Sequence, residues 1–185
     1  ASVVAGSEET RHGMVLAKSE FAKKAGIKTG EALFTARKKV DKLYVLPVKH
    51  DLYQRYSDEL YQLLKKYFLE IERYSIDEVF IDYTSHQLIY GDIEVFAHKL
   101  QKEIHQKLGY TVNIGIGNNK FLAKMAGELK KPNAVNTIYH HEISDKLWPL
   151  PIHKMFMVGK KTALKLNLLG INYIGDLVDY PLEKL

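Results

Sequence analysis

Two adjacent carboxylates, Asp77 and Glu78, lie within an otherwise largely apolar and β-branched stretch, residues 74–84. Neighbouring acids repel each other and resist burial, so a strand core gains nothing from holding them. A divalent cation removes this difficulty, because oxygen ligands fixed at a strand edge suit Mg²⁺, which keeps its other positions for water and phosphate oxygens. Composition alone favours a simpler interpretation, a hairpin whose turn exposes both side chains.

The residues around the two carboxylates alternate as a β-strand would. Val79, Ile81 and Tyr83 would lie on one face, with Glu78, Phe80 and Asp82 on the other. The pattern therefore predicts a strand that buries one face and presents acids at its other face and its start.

The composition limits the class of protein. The chain has 185 residues, of which 46% are hydrophobic, enough for a sizeable core in one domain or two small ones. It contains no cysteine, which excludes disulfides and thiolate metal sites and fits a reducing cytosol. No apolar run approaches the length of a membrane span, and no signal peptide is visible. We expect a cytoplasmic protein without a membrane partner.

Both ends of the sequence resemble cuts through a larger protein. It begins without Met, almost directly in the strand-like residues 2–5, and it stops inside a helical pattern at residues 181–185. We expect the chain to lack part of its own active site.

The net charge of +5 is unevenly distributed. Residues 1–89 hold 14 basic and 13 acidic side chains, whereas residues 118–170 hold nine lysines against three acids. A local basic surplus suggests a polyanion partner, most simply nucleic acid, although a solvated lysine-rich face would look the same.

Strands and helices alternate along the chain. Two long amphipathic helices, at 51–68 and 92–107, lie between paired strands around the acidic hairpin. This order is typical of a ferredoxin-like α+β layer. The remaining predicted elements are strands at 2–5, 14–17, 44–46 and 110–116 and helices at 20–25, 31–39 and 121–129.

Three further stretches contain possible phosphate ligands. In residues 113–120 a strand ends in glycines, and Asn118 or Asn119 can cap the next helix. The start of that helix and the nearby lysine could bind a phosphate. A tight turn between strand and helix, without a ligand, is the simpler interpretation. In residues 129–134, two lysines precede Pro132, where cations also suit the helix dipole. In residues 157–171, a glycine turn, a lysine-rich helix and Leu-Gly-Ile outline a helix-hairpin-helix, which binds phosphate backbones without reading sequence.

Four stretches in the same order resemble the Y-family translesion DNA polymerases, the ImpB/MucB/SamB group. The resemblance covers nearly the whole chain. It implies an α+β fold with a ferredoxin-like palm, an antiparallel-rich sheet with two packing helices, a small fingers insertion and an all-α thumb. The matching stretches are residues 74–82, 22–30, 113–133 and 151–177.

The resemblance implies three domains and one activity. Residues 1–47 would form the fingers with an adjoining palm strand, residues 48–140 the palm and residues 141–185 a truncated thumb. The activity would be template-directed DNA synthesis past damaged bases. A non-catalytic DNA-binding or regulatory member of the family is the alternative, and a nucleotide cyclase on the same palm layer is a more distant one.

The resemblance also assigns roles to residues. Asp77 and Glu78 would be catalytic and would bind metal, as two of three carboxylates that hold two Mg²⁺ ions. Lys23 and Lys131 would neutralise the incoming nucleoside triphosphate. Primer–template DNA would be the macromolecular partner, with a sliding clamp bound through a missing C-terminal little-finger domain. The residues implied to grip the DNA backbone are Gly159, Lys160 and Lys161.

The sequence departs from the family pattern in three places. The third carboxylate and a sugar-discriminating aromatic residue belong to a strand before residues 2–5 and are absent. Glu20 stands where many members carry Tyr or Asn near the triphosphate. Met157 replaces the first glycine of the usual thumb hairpin.

Overall fold

The computed structural model describes residues 1–6 and 13–184. It divides into two compact units, Ala1–Tyr56 and Ser57–Leu185. The division falls inside the long helix α3 (His50–Leu64). The predicted domain limits at residues 47 and 140 stay predictions.

The first unit is a small sheet covered by short helices. β1 (Ser2–Gly6) lies in the middle of the sheet, antiparallel to β2 (Val15–Lys18) and parallel to β3 (Leu43–Leu46). Ser19 caps α1 (Glu20–Lys24) by accepting a hydrogen bond from the backbone N–H of Ala22. The helix α2 spans Leu33–Arg37.

The second unit contains two further two-stranded sheets and four α-helices besides the end of α3, among the residues that the structure describes. The strands are β4 (Glu72–Arg73), β5 (Val79–Phe80), β6 (Ile114–Gly117) and β7 (Val135–Ile138). The helices are α4 (Gln87–Tyr90), α5 (Ile93–Leu108), α6 (Lys120–Leu129) and α7 (Lys160–Leu168). Single turns of 3₁₀ or π-helix lie at Thr84–His86, His140–Glu142, Ile143–Leu147, Ile152–Lys154, Ile174–Leu177 and Leu182–Lys184.

The two predicted long helices pack against each other. Leu63 and Leu64 of α3 share a core with Phe96, Leu100 and Ile104 of α5. Asp92 caps α5 through hydrogen bonds from two backbone N–H groups, and Gly109 ends it in a left-handed conformation. The prediction of an α+β fold is therefore confirmed.

The prediction of one antiparallel-rich sheet is wrong for the described residues. Their strands form three separate sheets, and the pairings β1–β3 and β6–β7 are parallel. Residues 110–113, predicted to extend β6, find another partner: the buried Gln101 of α5 donates to the carbonyl of Val112 at 2.9 Å. The strand begins at Ile114.

A second core in this unit joins α6 to the C-terminal residues. Leu122 and Met125 of α6 are buried with Ile152, Leu166 and Ile171. One face of α6 is thereby fixed, and its opposite face is left to carry charged side chains. Among the described residues, no helix is long and apolar enough to cross a membrane.

Candidate active site

Asp77 and Glu78 lie in the turn between β4 and β5. The two strands pair through Glu72 with Phe80 and Arg73 with Val79. The carbonyl of Glu78 closes the turn by accepting hydrogen bonds from the backbone N–H groups of residues 74 and 75, at 3.0 and 3.2 Å. These backbone hydrogen bonds therefore fix the Cα positions of Asp77 and Glu78.

The predicted alternation beyond the turn is confirmed. Val79, Ile81 and Tyr83 pack against the core formed by α3 and α5. Asp82 is exposed and accepts a hydrogen bond from the backbone N–H of Thr84 at 2.9 Å. Hydrogen bonds from the side chain and the backbone of Thr84 hold the pKa of Asp82 below its usual value. Asp82 thus stabilises the chain after β5.

The two adjacent acids have different surroundings. Asp77 is exposed, and its Oδ1 accepts a hydrogen bond from the hydroxyl of Ser75 at 2.7 Å. The side chain of Glu78 is only 34% exposed, and its Oε1 forms an ion pair with Nζ of Lys124 on α6. Hydrogen bonding and charge pairing thus hold both carboxylates in place.

Lys124 is the most enclosed charged group at this site, with 18% of its side chain exposed. Burial acts to lower the pKa of Lys124, but the hydrogen bond to Glu78 and the charges of Glu78 and Glu128 outweigh it. The pKa of Lys124 is therefore raised above its usual value. The ammonium group keeps its proton because carboxylates surround it.

A cleft of about 1230 Å³ lies beside the turn. Asp77, Glu78 and Lys131, three of the residues predicted from the sequence, line it together. β6 and the exposed face of α6 form one wall, and apolar residues of α3 and α5 line the rest. Carboxylates and ammonium groups therefore face the same space.

Lys131 follows the end of α6 and is held by a local ion pair. Its Nζ lies 2.7 Å from Oε1 of Glu128, and Lys124 approaches the same oxygen at 3.7 Å. Both side chains of the Lys131–Glu128 pair are about half exposed, so water and ligands can reach them.

Lys23 belongs to the first unit. It lies on α1 with an exposed side chain, and its Nζ is 3.5 Å from Oε1 of Glu20. Glu20 is the residue that departs from the family pattern, and it partly neutralises the lysine that the family pattern assigns to the triphosphate. Such an exposed pair contributes little free energy and opens readily.

Gly159, Lys160 and Lys161 are exposed at the start of α7, and none of the three is among the residues that line the cleft. Gly159 is the N-cap residue of this helix. Met157, two residues earlier, has a φ of 71°, in the left-handed region that favours glycine. The backbone thus keeps the glycine-type conformation although the sequence has Met.

The donor set at the turn fits a hard cation in part. Asp77 and Glu78 supply carboxylate oxygens, and the contacts above use only one oxygen of each group. Within residues 1–6 and 13–184, no group of three or more His, Cys, Asp or Glu is placed to hold a metal ion. The two carboxylates can bind Mg²⁺ only together with water, phosphate oxygens or a further ligand.

Two residues at this site were not singled out from the sequence, Lys124 and Glu128. Their spacing was the available signal, because residues at i, i+4 and i+7 share one face of a helix. Lys124, Glu128 and Lys131 have this spacing. The partner on another element, Glu78, could not be found from spacing.

Comparison with known proteins gives consistent matches. The impB/mucB/samB family model matches residues 1–128. A protein named DNA polymerase IV from Clostridium acetobutylicum is 50% identical over 182 residues, which cover 98% of this chain and 46% of the relative. A protein of the same name from Acetivibrio thermocellus is 38% identical over 176 residues, covering 95% and 44%. The chain thus spans about half the length of the curated relatives it matches.

Solved structures show the same similarity. The crystal structure of DinB from Sulfolobus solfataricus aligns with a TM-score of 0.88 at 28% identity, covering 99% of this chain and 54% of that one. An insertion ternary complex of Dbh DNA polymerase aligns with a TM-score of 0.87 at 30% identity, with the same coverage.

Proposed function

Because this chain belongs to the impB/mucB/samB family, we propose that it carries the active site of a DNA polymerase that copies past damaged bases. The family match confirms the resemblance inferred from the four motifs. The observation that supports the activity most directly is the placement of Asp77, Glu78 and Lys131 around one cleft. Carboxylates bind cations and a lysine binds phosphate, and nucleotidyl transfer brings both together.

Asp77 and Glu78 would hold Mg²⁺ through the carboxylate oxygens that the present contacts leave available. The family resemblance implies two ions and a third carboxylate ligand. When bound, such ions stabilise the attacking and leaving oxygens of a phosphoryl transfer. The hydrogen bond from Ser75 would keep Asp77 in position for the cations, and the ion pair with Lys124 holds Glu78 in place while no cation is bound.

Lys131 and Lys23 would neutralise the triphosphate of the incoming deoxynucleotide. Lys131 has the better structural support, because it lines the cleft and is exposed enough to exchange Glu128 for a phosphate. Lys23 would have to leave its pair with Glu20, which costs little at an exposed site.

The proposed substrates are primer–template DNA and a deoxynucleoside triphosphate. Similar structures are titled as ternary and binary complexes of Dbh DNA polymerase, which supports this assignment. Gly159, Lys160 and Lys161 would contact the DNA backbone from the exposed start of α7. A DNA substrate also leads us to propose a cytoplasmic location. A sliding clamp as a further partner stays a prediction.

A non-catalytic DNA-binding or regulatory role is the weaker alternative. The relatives share the name DNA polymerase IV, and the two carboxylates and Lys131 are all present in this chain. A binding module would need the basic surface alone and would have no use for the acidic pair at the cleft.

The test uses this chain within a protein of the full length of its relatives, called the extended protein below. In Asp77→Asn and Glu78→Gln, each substitution keeps the shape of the side chain and removes the charge that a cation needs. We expect single-turnover nucleotide incorporation with Mg²⁺ to fall about a hundredfold or more, the effect typical of losing such electrostatic stabilisation. DNA binding should persist, because other residues supply it.

Asp82→Asn is the matched control. Asp82 lies on the same segment and lines the same cleft, but its carboxylate bonds to the backbone of Thr84. This variant should incorporate nucleotide at nearly the normal rate once its folded fraction, from a melting curve, is taken into account. Near-normal nucleotide incorporation by folded Asp77→Asn would mean that Asp77 does not bind a catalytic cation and that the turn has a structural role alone.

A further inference from the structure

Four side chains of alternating charge join the acidic turn to Lys131. We call them the charge row: Glu78, Lys124, Glu128 and Lys131. Lys124 contacts Oε1 of Glu78, while both lysines approach Oε1 of Glu128, Lys124 at 3.7 Å and Lys131 at 2.7 Å. All four residues line the cleft.

Lys124 is the most enclosed member of the charge row, with 18% of its side chain exposed against 34% for Glu78. An enclosed ammonium group is costly without a carboxylate partner, so Lys124 must remain paired. It has two partners within a short movement: it contacts Glu78, and Glu128 lies one helical turn further along α6. Its flexible stem allows it to exchange one for the other.

A cation at Glu78 and the ammonium group of Lys124 compete for the same carboxylate. Like charges on one carboxylate repel each other, so the pair between Lys124 and Glu78 must loosen when a divalent cation binds there. Glu128 is then the nearest other carboxylate for Lys124, since its Oε1 lies 3.7 Å from the ammonium group. When Glu128 pairs more closely with Lys124, the ion pair between Glu128 and Lys131 weakens, because both lysines contact the same carboxylate oxygen.

We propose that Lys124 is a positioning residue that exchanges Glu78 for Glu128 when a divalent cation binds to Glu78, and that this exchange releases Lys131 towards a triphosphate. This inference rests on the proposed function, because it assigns the cation and the triphosphate to that same site. Without a cation, Lys124 holds the carboxylate of Glu78 in place. With a cation, the charge row couples the metal ligands to the phosphate ligand.

The exchange predicts opposite effects for two variants of the extended protein. Lys124→Met keeps the apolar stem and removes the competing charge, so Glu78 should bind a cation more tightly. Glu128→Gln removes the negative charge of the second acceptor, so Lys124 should stay on Glu78 and cation binding should weaken. The probe is Mn²⁺, titrated without DNA or nucleotide and followed by the electron paramagnetic resonance signal of the free ion. We expect shifts of about fivefold or more in the dissociation constant, the lower end of typical coupling between sites.

The double variant separates an exchange from a general charge effect. In the proposal, Glu128 acts on the cation only through Lys124, so Glu128→Gln should change little in a Lys124→Met background. Independent charges would instead give additive shifts. Additive shifts would overturn the proposal, and so would single variants that shift Mn²⁺ affinity in the same direction.

A neighbouring ion pair supplies the control. Lys120, at the start of α6, pairs with Glu72 of β4, and both line the same cleft. Lys120→Met and Glu72→Gln change charge by the same amounts without touching the charge row, and each should change Mn²⁺ affinity by less than about twofold. Effects as large as those of the row variants would also overturn the proposal.

Failure of this inference and failure of the proposed function give different results. If the unmodified extended protein incorporates no nucleotide, the polymerase assignment fails whatever Mn²⁺ does. If it incorporates nucleotide but the variants do not show the opposed, non-additive shifts, only the exchange fails. Glu128 is about half exposed, so if Lys124→Met does not fold, Glu128→Gln measured beside the Glu72→Gln control still tests the exchange: shifts of equal size would overturn it.

Discussion

Gly127 of α6 lies directly against Gly115 of β6. A Cβ added at Gly115 would come within 2.4 Å of the backbone nitrogen of Gly127 and 2.0 Å of the carbonyl oxygen of Ala123. The helix can approach the strand this closely only because a side chain is absent. This approach places the charged face of α6, with Lys124, at the cleft beside Glu78.

We expect Gly115→Ala to lower the free energy of unfolding by about 2 kcal/mol or more, because the new methyl group would overlap backbone atoms that cannot rotate away. Gly127→Ala is the matched control on the other side of the contact. Its Cβ would meet Gly115 only at ordinary contact distances of 3.7 and 3.8 Å, and alanine favours a helix interior by up to about 1 kcal/mol. Urea unfolding of both variants should give opposite signs. Equal stabilities would contradict the close contact.

Glu142 makes the stability of the second unit sensitive to acid. Hydrogen bonds from Lys146, the backbone N–H of Tyr139 and Thr137 lower the pKa of Glu142 to about 2, against a partial opposing effect of burial. The folded state thus binds the Glu142 proton less tightly than the unfolded chain. The stabilisation is full above the ordinary pKa of about 4.5 and is lost as the pH falls towards 2.

We therefore expect Glu142→Gln to be less stable than the unmodified protein at neutral pH and to lose less further stability between about pH 4.5 and 2. Urea unfolding at several pH values measures both effects. Lys146→Met removes the main cause of the pKa shift and should flatten the acid dependence in the same range. If the acid dependence is unchanged in both variants, other carboxylates control it.

The local features of the chain could be predicted from its sequence because they depend on neighbouring residues. The helices α1 and α5 begin at or next to their predicted starts, residues 20 and 92, and the alternation from Val79 to Tyr83 directs these side chains into the core. The sheet pairing could not be predicted in this way. The carbonyl of Val112, in a segment predicted as strand, accepts a hydrogen bond from Gln101, and this contact joins side chain and backbone across a helix and a loop.

The same limit applies to the candidate site. The sequence identified Asp77, Glu78 and Lys131 through motif resemblance, and the structure places them around one cleft. Lys124 escaped notice because its pairing with Glu78 spans 46 residues and two elements. Long-range ion pairs leave no periodic trace in a sequence.

Met157 stores backbone strain that a glycine would remove. Met157 is 80% exposed, so packing of its side chain contributes little free energy to offset the cost of a φ of 71°. Left-handed backbone costs a residue with a side chain about 1–2 kcal/mol, and the greater freedom of glycine in the unfolded chain cancels part of the gain. We expect Met157→Gly to raise the free energy of unfolding by up to about 1 kcal/mol, measured by thermal or urea unfolding. Met157→Ala, which keeps a Cβ, should show no such gain, and equal effects of the two would argue against strain.

The last prediction concerns the proposed DNA grip at the start of α7. Lys160 and Lys161 are exposed there, in the part of the sequence with the lysine surplus. Contacts to phosphates release counterions, so each lost contact reduces the slope of log K against log salt by about 0.9. The double variant Lys160→Ala, Lys161→Ala of the extended protein should bind all duplex sequences more weakly, with a slope shallower by up to about two.

Fluorescence anisotropy with labelled primer–template DNA, between about 50 and 200 mM salt, measures this slope. Lys99→Ala, Lys102→Ala is the matched control, because it removes the same two charges from exposed positions on α5. If net charge alone set the affinity, both double variants would change the slope equally. If the start of α7 binds the DNA backbone, only the Lys160 and Lys161 variant should change the salt slope. The loss of affinity should also be the same for unrelated DNA sequences, since phosphate contacts carry no base information.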